Sequence, residues 1–151
     1  LDLDRRPAML LMYLDRFKLI NDTMGHHAGD EVLLAVTERL KAHCGETRSV
    51  YRLGGDEFVI VWDGAPTRAD VEEFAAAMTK SVFCPVKRDG AEIETSGSIG
   101  ISFITPADDS VSTVLKRADL ALYRAKKANG VSHCFFTPDL NEDFELKHKF
   151  E

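Results

Sequence analysis

Two adjacent carboxylates, Asp56 and Glu57, follow two glycines, Gly54 and Gly55, between the strand-like runs Val50 to Leu53 and Phe58 to Trp62. That spacing reads as a tight hairpin, because glycines admit the positive φ that such turns need. Carboxylates at a hairpin tip are hard oxygen donors suited to a divalent cation. Glycines beside them let a phosphate approach the backbone closely. An isolated Asp-Glu after Gly-Gly is equally a solvated turn, so the weight falls on the elements that carry the tip and on the motifs around it.

Those elements are legible from periodicity. Ala8 to Leu14 is a short apolar run and reads as a buried strand, while Asp30 to Cys44 places Val32, Leu33, Val36 and Leu40 at helical spacing, with Gly45 as its stop. From Thr67 to Val82, apolar Val71, Phe74, Ala75 and Met78 again recur with helical period. Arg88-Asp89-Gly90 reads as a turn between two further strands, the second running from Ile93 to Ile104. A last helix, Ser112 to Ala128, turns Val114, Leu115, Ala118, Leu122 and Ala125 inward and ends at Asn129-Gly130. Strands and helices alternate without a regular βαβ repeat, which predicts an α+β fold with helices covering a mainly antiparallel sheet. Leu1 to Pro7 reads as the remnant of a preceding helix and Phe144 to Glu151 as the start of a charged helix leading away. The expected division is therefore a domain over 1–137 and an exit linker over 138–151, in a fragment of a longer protein.

Composition sets the outer limits. With 151 residues, 44% of them hydrophobic and 29% charged, the chain can bury a core without a disulfide or metal staple. A net charge of −6 gives no general attraction for a phosphate backbone, so nucleic acid is not an expected partner, although a local pocket for one nucleotide remains open. The apolar run Ala8 to Leu14 is far short of the roughly 20 residues of a membrane span, so no membrane contact is expected of this segment. Cys44, Cys84 and Cys134 are odd in number and widely spaced, which suits idle thiols in a reducing cytoplasm better than a disulfide framework or zinc site. A cytoplasmic location is expected for this segment, and the full-length protein is free to be membrane-attached.

Arg52-Leu53-Gly54-Gly55-Asp56-Glu57-Phe58 resembles the signature of the GGDEF family. Phe17-Lys18-Leu19-Ile20-Asn21-Asp22, Gly25-His26, Ala28-Gly29-Asp30-Glu31-Val32-Leu33, Ser98-Ile99-Gly100-Ile101 and Arg117 to Lys126 are similar to that family's other motifs, in its order and spacing, from about Ala8 to Phe136. The resemblance implies a nucleotidyl-cyclase palm with a ferredoxin-like core. It also implies a diguanylate cyclase, which condenses two GTP into cyclic di-GMP with two divalent metals, Mg2+ (or Mn2+), across a two-fold dimer. Attack of a ribose 3′-hydroxyl on an α-phosphorus needs metals to activate the hydroxyl and neutralise the triphosphate, and carboxylates to hold them. By resemblance Asp56 would ligate metal and assist deprotonation, Glu57 would support the site, and Leu14 would offer its backbone carbonyl.

The same resemblance makes Asn21 and Asp30 the readers of guanine, whose N1 and N2 donors suit a carboxylate acceptor that adenine would leave unsatisfied. Their alternative is helix capping, since Asp30 is expected to precede a helix. His26 would contact the nucleotide, or serve as an ordinary turn residue. Lys18 and Lys126 match positions that meet the triphosphate, a task for a compact ammonium charge, whereas Lys41, Lys80, Lys116 and Lys127 read as solvated. Arg117 and Asp119 are expected to pair on the last helix, with Leu115, Leu122 and Phe135-Phe136 in packing roles.

Departures from the pattern matter as much. The family's first metal-binding carboxylate ends the first strand, and here that position is Tyr13. A neutral phenol with a reference pKa near 10 is a poor magnesium ligand, and Asp15 lies two residues on, displaced along the strand by about 6 to 7 Å. The family's inhibitory Arg-x-x-Asp is replaced by Gly45-Glu46-Thr47-Arg48, and a Gly-Arg-Asn after Lys126 is replaced by Asn129-Gly130-Val131. The expectation is a domain that binds GTP with weakened catalysis and regulates an attached module. Phe136 to Asn141 resembles junctions that lead into EAL phosphodiesterase domains. The alternatives are an active, homodimeric diguanylate cyclase in which water or Glu57 compensates for Tyr13, and an interaction module with an empty pocket.

Overall fold

The computed structural model describes residues 6–127 and 132–140. Its elements are β1 (Ala8–Leu14), α1 (Phe17–Met24), α2 (His26–Cys44), β2 (Ser49–Arg52), β3 (Glu57–Trp62), α3 (Arg68–Ser81), β4 (Val86–Arg88), β5 (Ala91–Ile93), β6 (Gly97–Phe103), α4 (Val111–Lys126) and β7 (Ser132–Phe135). The apolar run of β1 takes the centre of a five-stranded sheet, in the order β2-β3-β1-β6-β7, because only a strand covered on both faces can be apolar throughout. Every pairing in it is antiparallel except that of β7 with β6. The fold is the α+β palm that the sequence implies.

Alternation along β1 divides the core between the two faces. Ala8, Leu10, Met12 and Leu14 pack with Val32, Val36 and Leu40 of α2 and Val71, Phe74 and Met78 of α3. Met9 and Leu11 face Val114, Ala118 and Leu122 of α4, and Tyr13 is packed at the end of the same row. Helix α4 lies so close to β6 that a Cβ on Gly100 would stand 2.1 Å from the Ala118 carbonyl oxygen and 2.4 Å from the Leu122 nitrogen. The site-bearing end of β1 is thereby fixed between the β2–β3 loop on one side and the C-terminal turns of α4 on the other.

Several local expectations need correction. Helix α2 begins at His26, so Asp30 lies a turn inside it and caps nothing; Gly25, at φ +91°, makes the corner from α1 and donates its N–H to the Asn21 carbonyl at 3.0 Å. The run Ile93 to Ile104 is two strands. At Glu94-Thr95-Ser96 the chain passes from the β4–β5 ribbon into the main sheet, held by Thr95 Oγ1 donating to the Cys84 carbonyl (2.9 Å) and by the Asp15 N–H donating to Ser96 (2.9 Å). The β4–β5 turn is as expected, with positive φ at both Asp89 and Gly90.

Arg117 pairs with Asp108, not Asp119. Its guanidinium donates twice to that carboxylate, at 2.7 and 2.6 Å, Nη2 also reaching the Phe103 carbonyl and Nε the Ser102 hydroxyl, whereas Asp119 is exposed. Phe135 is buried in β7, a strand that four residues of mixed polarity do not announce. Cys44, Cys84 and Cys134 are free thiols, and burial pushes the Cys44 thiol up to about 11. The expected stop at Asn129-Gly130, the opening Leu1 to Arg5 and the helix from Phe144 lie outside the described residues.

Candidate functional site

The corner is built by three backbone ties. Tyr13 stands opposite Glu57 of β3 and Ser98 of β6, and the Leu14 N–H donates to the Asp56 carbonyl at 2.8 Å. The loop closes where the Leu53 N–H donates to the Glu57 carbonyl at 2.9 Å. Asp56 and Glu57 are thus held at the end of β1, both half-buried.

Gly54 and Gly55 do not use positive φ, contrary to the hairpin expectation; among the described residues the glycines that do are Gly25, Gly45 and Gly90. The loop is longer than a two-residue turn, with Arg52 paired to Phe58 across it, and its shape is held by Arg52, which donates through Nε to the Gly54 carbonyl (2.8 Å) and through Nη2 to that of Gly55 (3.3 Å). A Cβ on Gly54 would meet nothing within 4 Å, and one on Gly55 only the Phe17 ring edge at 3.8 Å and the tip of Arg52 at 4.0 Å. The role of Arg52 escaped the sequence reading, although an arginine two residues before the double glycine was its signal.

Tyr13 determines the chemistry of the corner. Its pKa is raised, first by burial, then by the Asp56 charge and hydrogen bonding toward that carboxylate, then by the charges of Asp15 and Glu57. It is therefore a neutral phenol at physiological pH. Lys126, expected at the triphosphate, comes to the same place but lies over the Tyr13 ring, its Nζ 3.5 Å from the centroid. Asp15 turns aside, accepting from Ser96 Oγ at 3.2 Å.

Among the described residues no three of His, Cys, Asp and Glu converge as a metal site. Two carboxylates and the Leu14 carbonyl, with a neutral phenol beside them, do not fit a two-ion centre, which would lack charge to neutralise both cations.

The base-reading candidates gather at the α1–α2 corner. The half-buried Asn21 side chain lies against the Cα of buried Gly29, the residue before Asp30. Asp30 is exposed, as are His26 at the first position of α2 and Lys18 on α1, while Phe17 beside Lys18 touches the Gly55 side of the loop. Lys41, Lys80, Lys116 and Lys127 are exposed as expected, Lys127 lying over the Tyr123 ring at 4.7 Å. Arg48, in the stretch where the family's inhibitory motif would lie, is committed to packing, with its guanidinium 4.0 Å from the Trp62 ring centroid and 4.2 Å from that of Phe74.

The family model described as "Diguanylate cyclase, GGDEF domain" matches residues 3–131. The bifunctional diguanylate cyclase/cyclic di-GMP phosphodiesterase MucR of Pseudomonas aeruginosa is 37% identical over 149 residues, covering 96% of this chain and 22% of that protein. The solved GGDEF domain of TpbB (YfiN) from the same organism superposes with a TM-score of 0.86 at 33% identity, covering 93% of this chain and 83% of that one. An EAL/GGDEF domain protein from M. capsulatus gives a TM-score of 0.79 at 33% identity, over 91% of this chain and 88% of that one. The chain spans about a fifth to a quarter of the length of the curated relatives it matches.

Proposed function

This chain belongs to the GGDEF family of diguanylate cyclase domains, which serve cyclic di-GMP signalling, and on that premise we propose that it binds GTP with little or no cyclase turnover and regulates an attached module. The observation that carries the reading is the neutral phenol of Tyr13, opposite Glu57 in the sheet and within the field of Asp56, where the family resemblance places a metal-binding carboxylate. A neutral phenol brings no negative charge to a divalent cation, where a carboxylate at the same place would. Magnesium or manganese enters, on this reading, as part of the nucleotide complex, and no bond-making step is assigned to a protein-held ion pair.

The remaining residues keep binding roles. Asn21 and Asp30 read the base at the α1–α2 corner, His26 borders it, Gly54 and Gly55 leave the loop open to phosphate, and Lys18 and Lys126 neutralise the triphosphate. Lys126 has to leave the Tyr13 ring to do so, giving up a cation–π contact of about 0.5–1 kcal/mol in a partly exposed setting. We assign the domain to residues 1–137 and the following segment to a junction with an EAL phosphodiesterase domain. MucR is named as bifunctional and the M. capsulatus relative as an EAL/GGDEF protein, which supports that assignment. The proposed setting is cytoplasmic; among the described residues no helix is long and apolar enough to cross a membrane.

Calorimetric titration with magnesium–GTP, with magnesium–ATP as control and cyclic di-GMP assayed in the same sample, tests the proposal. GTP binding without product is the expected result. Sustained product formation overturns it in favour of an active, homodimeric cyclase, and equal affinity for GTP and ATP overturns the assignment of Asn21 and Asp30.

A further inference from the structure

Gly29 sits in the second turn of α2, a position where glycine weakens a helix relative to almost any other residue. Its φ is not positive, so no left-handed backbone calls for it. What it faces is one side chain: a Cβ at this position would stand 1.7 Å from Asn21 Oδ1, 2.8 Å from Cγ and 3.4 Å from Nδ2. No real Cβ tolerates the first two distances. The obstacle is also unlike that at Gly100, where a Cβ would strike backbone atoms of α4. At Gly29 it would strike the end of a short, rotatable side chain, so the fold can accept a larger residue by turning the Asn21 amide away.

We infer that Gly29 is a positioning residue for guanine recognition: its missing side chain makes the seat in which the Asn21 amide is held. The inference rests on the reading of Asn21 as a base reader and goes beyond it by naming what fixes that reader's rotamer. Asn21 is pinned from two directions. Its carbonyl accepts from the Gly25 N–H, which sets the α1–α2 corner, and its amide lies on the face of α2 that Gly29 leaves bare. Asp30 follows Gly29 directly, so a displaced amide would no longer present the base edge together with that carboxylate.

The test compares Gly29→Ala, Asn21→Ala and the double variant, titrated with magnesium–GTP and magnesium–ATP and melted in parallel. Gly29→Ala is expected to keep or raise the unfolding midpoint, because alanine is the better helix former, while GTP affinity falls about tenfold, the loss of a single well-placed hydrogen bond. ATP affinity should change little. Asn21→Ala should show the same loss, and adding Gly29→Ala to it should cost nothing more, since the amide through which Gly29 acts is gone. A Gly29→Ala variant that keeps wild-type preference for GTP overturns the inference, as does a further tenfold loss in the Asn21→Ala background. If Gly29→Ala does not fold, refolding of the double variant supports the contact and an equally unfolded double variant refutes it. Wild-type protein that binds GTP no better than ATP sinks the base-reading assignment itself, an outcome distinct from a Gly29→Ala variant that leaves a real preference intact.

Discussion

Replacing Tyr13 by aspartate restores the carboxylate that the family pattern puts at the end of β1, and its cost without metal can be worked from the register. Tyr13 stands directly opposite Glu57, and its phenol lies within the field of Asp56. Cβ atoms of directly paired residues are about 5 Å apart, and two like charges at that distance repel by about 3 kcal/mol at an effective dielectric near 20. Half-burial and solvent screening reduce this to roughly 1–2 kcal/mol. Loss of the contact with Lys126 adds about 0.5–1 kcal/mol. Metal-free Tyr13→Asp should therefore be less stable by roughly 2–3 kcal/mol, a Tm lower by about 4 to 10 °C for a domain of this size. Magnesium at a hundredfold excess over its Kd returns about 2.7 kcal/mol to a protein that binds it only when folded. Differential scanning fluorimetry with and without magnesium should show that recovery in Tyr13→Asp and little of it in wild type. Cyclic di-GMP formation from GTP should rise by orders of magnitude. A folded Tyr13→Asp variant that binds GTP but gains neither magnesium stabilisation nor turnover would show that the defect does not lie at Tyr13.

Three further outcomes follow from the packing. Gly100→Ala drives a Cβ into the backbone of α4, which cannot rotate aside, and should cost about 3 kcal/mol in urea denaturation; a loss below about 1 kcal/mol would refute the close approach. Asp108 is held at a pKa of about 2, first by its hydrogen bonds from Arg117 and then by that from the Thr105 N–H, with the Arg117 charge contributing less. A carboxylate depressed in the folded state stabilises fully above its unfolded pKa, near 3.9, and loses that contribution as pH falls through the folded value. Asp108→Asn should thus cost roughly 2 kcal/mol at pH 7, below the range for a fully buried pair because the Arg117 side chain keeps 22% exposure, with the difference from wild type shrinking between about pH 4 and pH 2. A pH-independent difference would point to packing instead. Thr67→Ala removes the capping box with Asp70 at the start of α3 and should cost about 1 kcal/mol, measured by the same denaturation.

What the sequence makes legible is what period and local chemistry encode. The apolar run of β1, the helical spacing behind α2, α3 and α4, and the Asp89-Gly90 turn are each properties of a short window, and the structure reproduces them. What it hides depends on residues far apart in the chain. Helix α1 is only eight residues long, with Ile20 buried but Leu19 and Met24 exposed, too short for a helical period to be told from a loop. Arg117 has Asp119 two residues away on its own helix, yet residues so spaced do not share a helix face, and its partner Asp108 comes from the loop before α4. The placement of Lys126 over the Tyr13 ring joins the two ends of the domain, and no window of sequence contains both.

The glycines separate what the fold requires from what a ligand would. Gly25, Gly45 and Gly90 serve backbone angles that other residues avoid; Gly100 serves a contact with backbone that cannot give way, and Gly97 one with the Phe83 ring and the Tyr13 carbonyl. Gly54 and Gly55, the pair that reads most loudly in the sequence, serve neither purpose: their φ is not positive, and a Cβ on either would find open space or ordinary contact. Nothing among the described residues accounts for them, while bare backbone beside two carboxylates is what a phosphate approaching from outside would need. On that argument Gly54→Ala and Gly55→Ala should leave the stability within about 1 kcal/mol of wild type while weakening magnesium–GTP binding in the titration. Unchanged nucleotide affinity in both variants would mean that the loop stays open for some reason other than a phosphate.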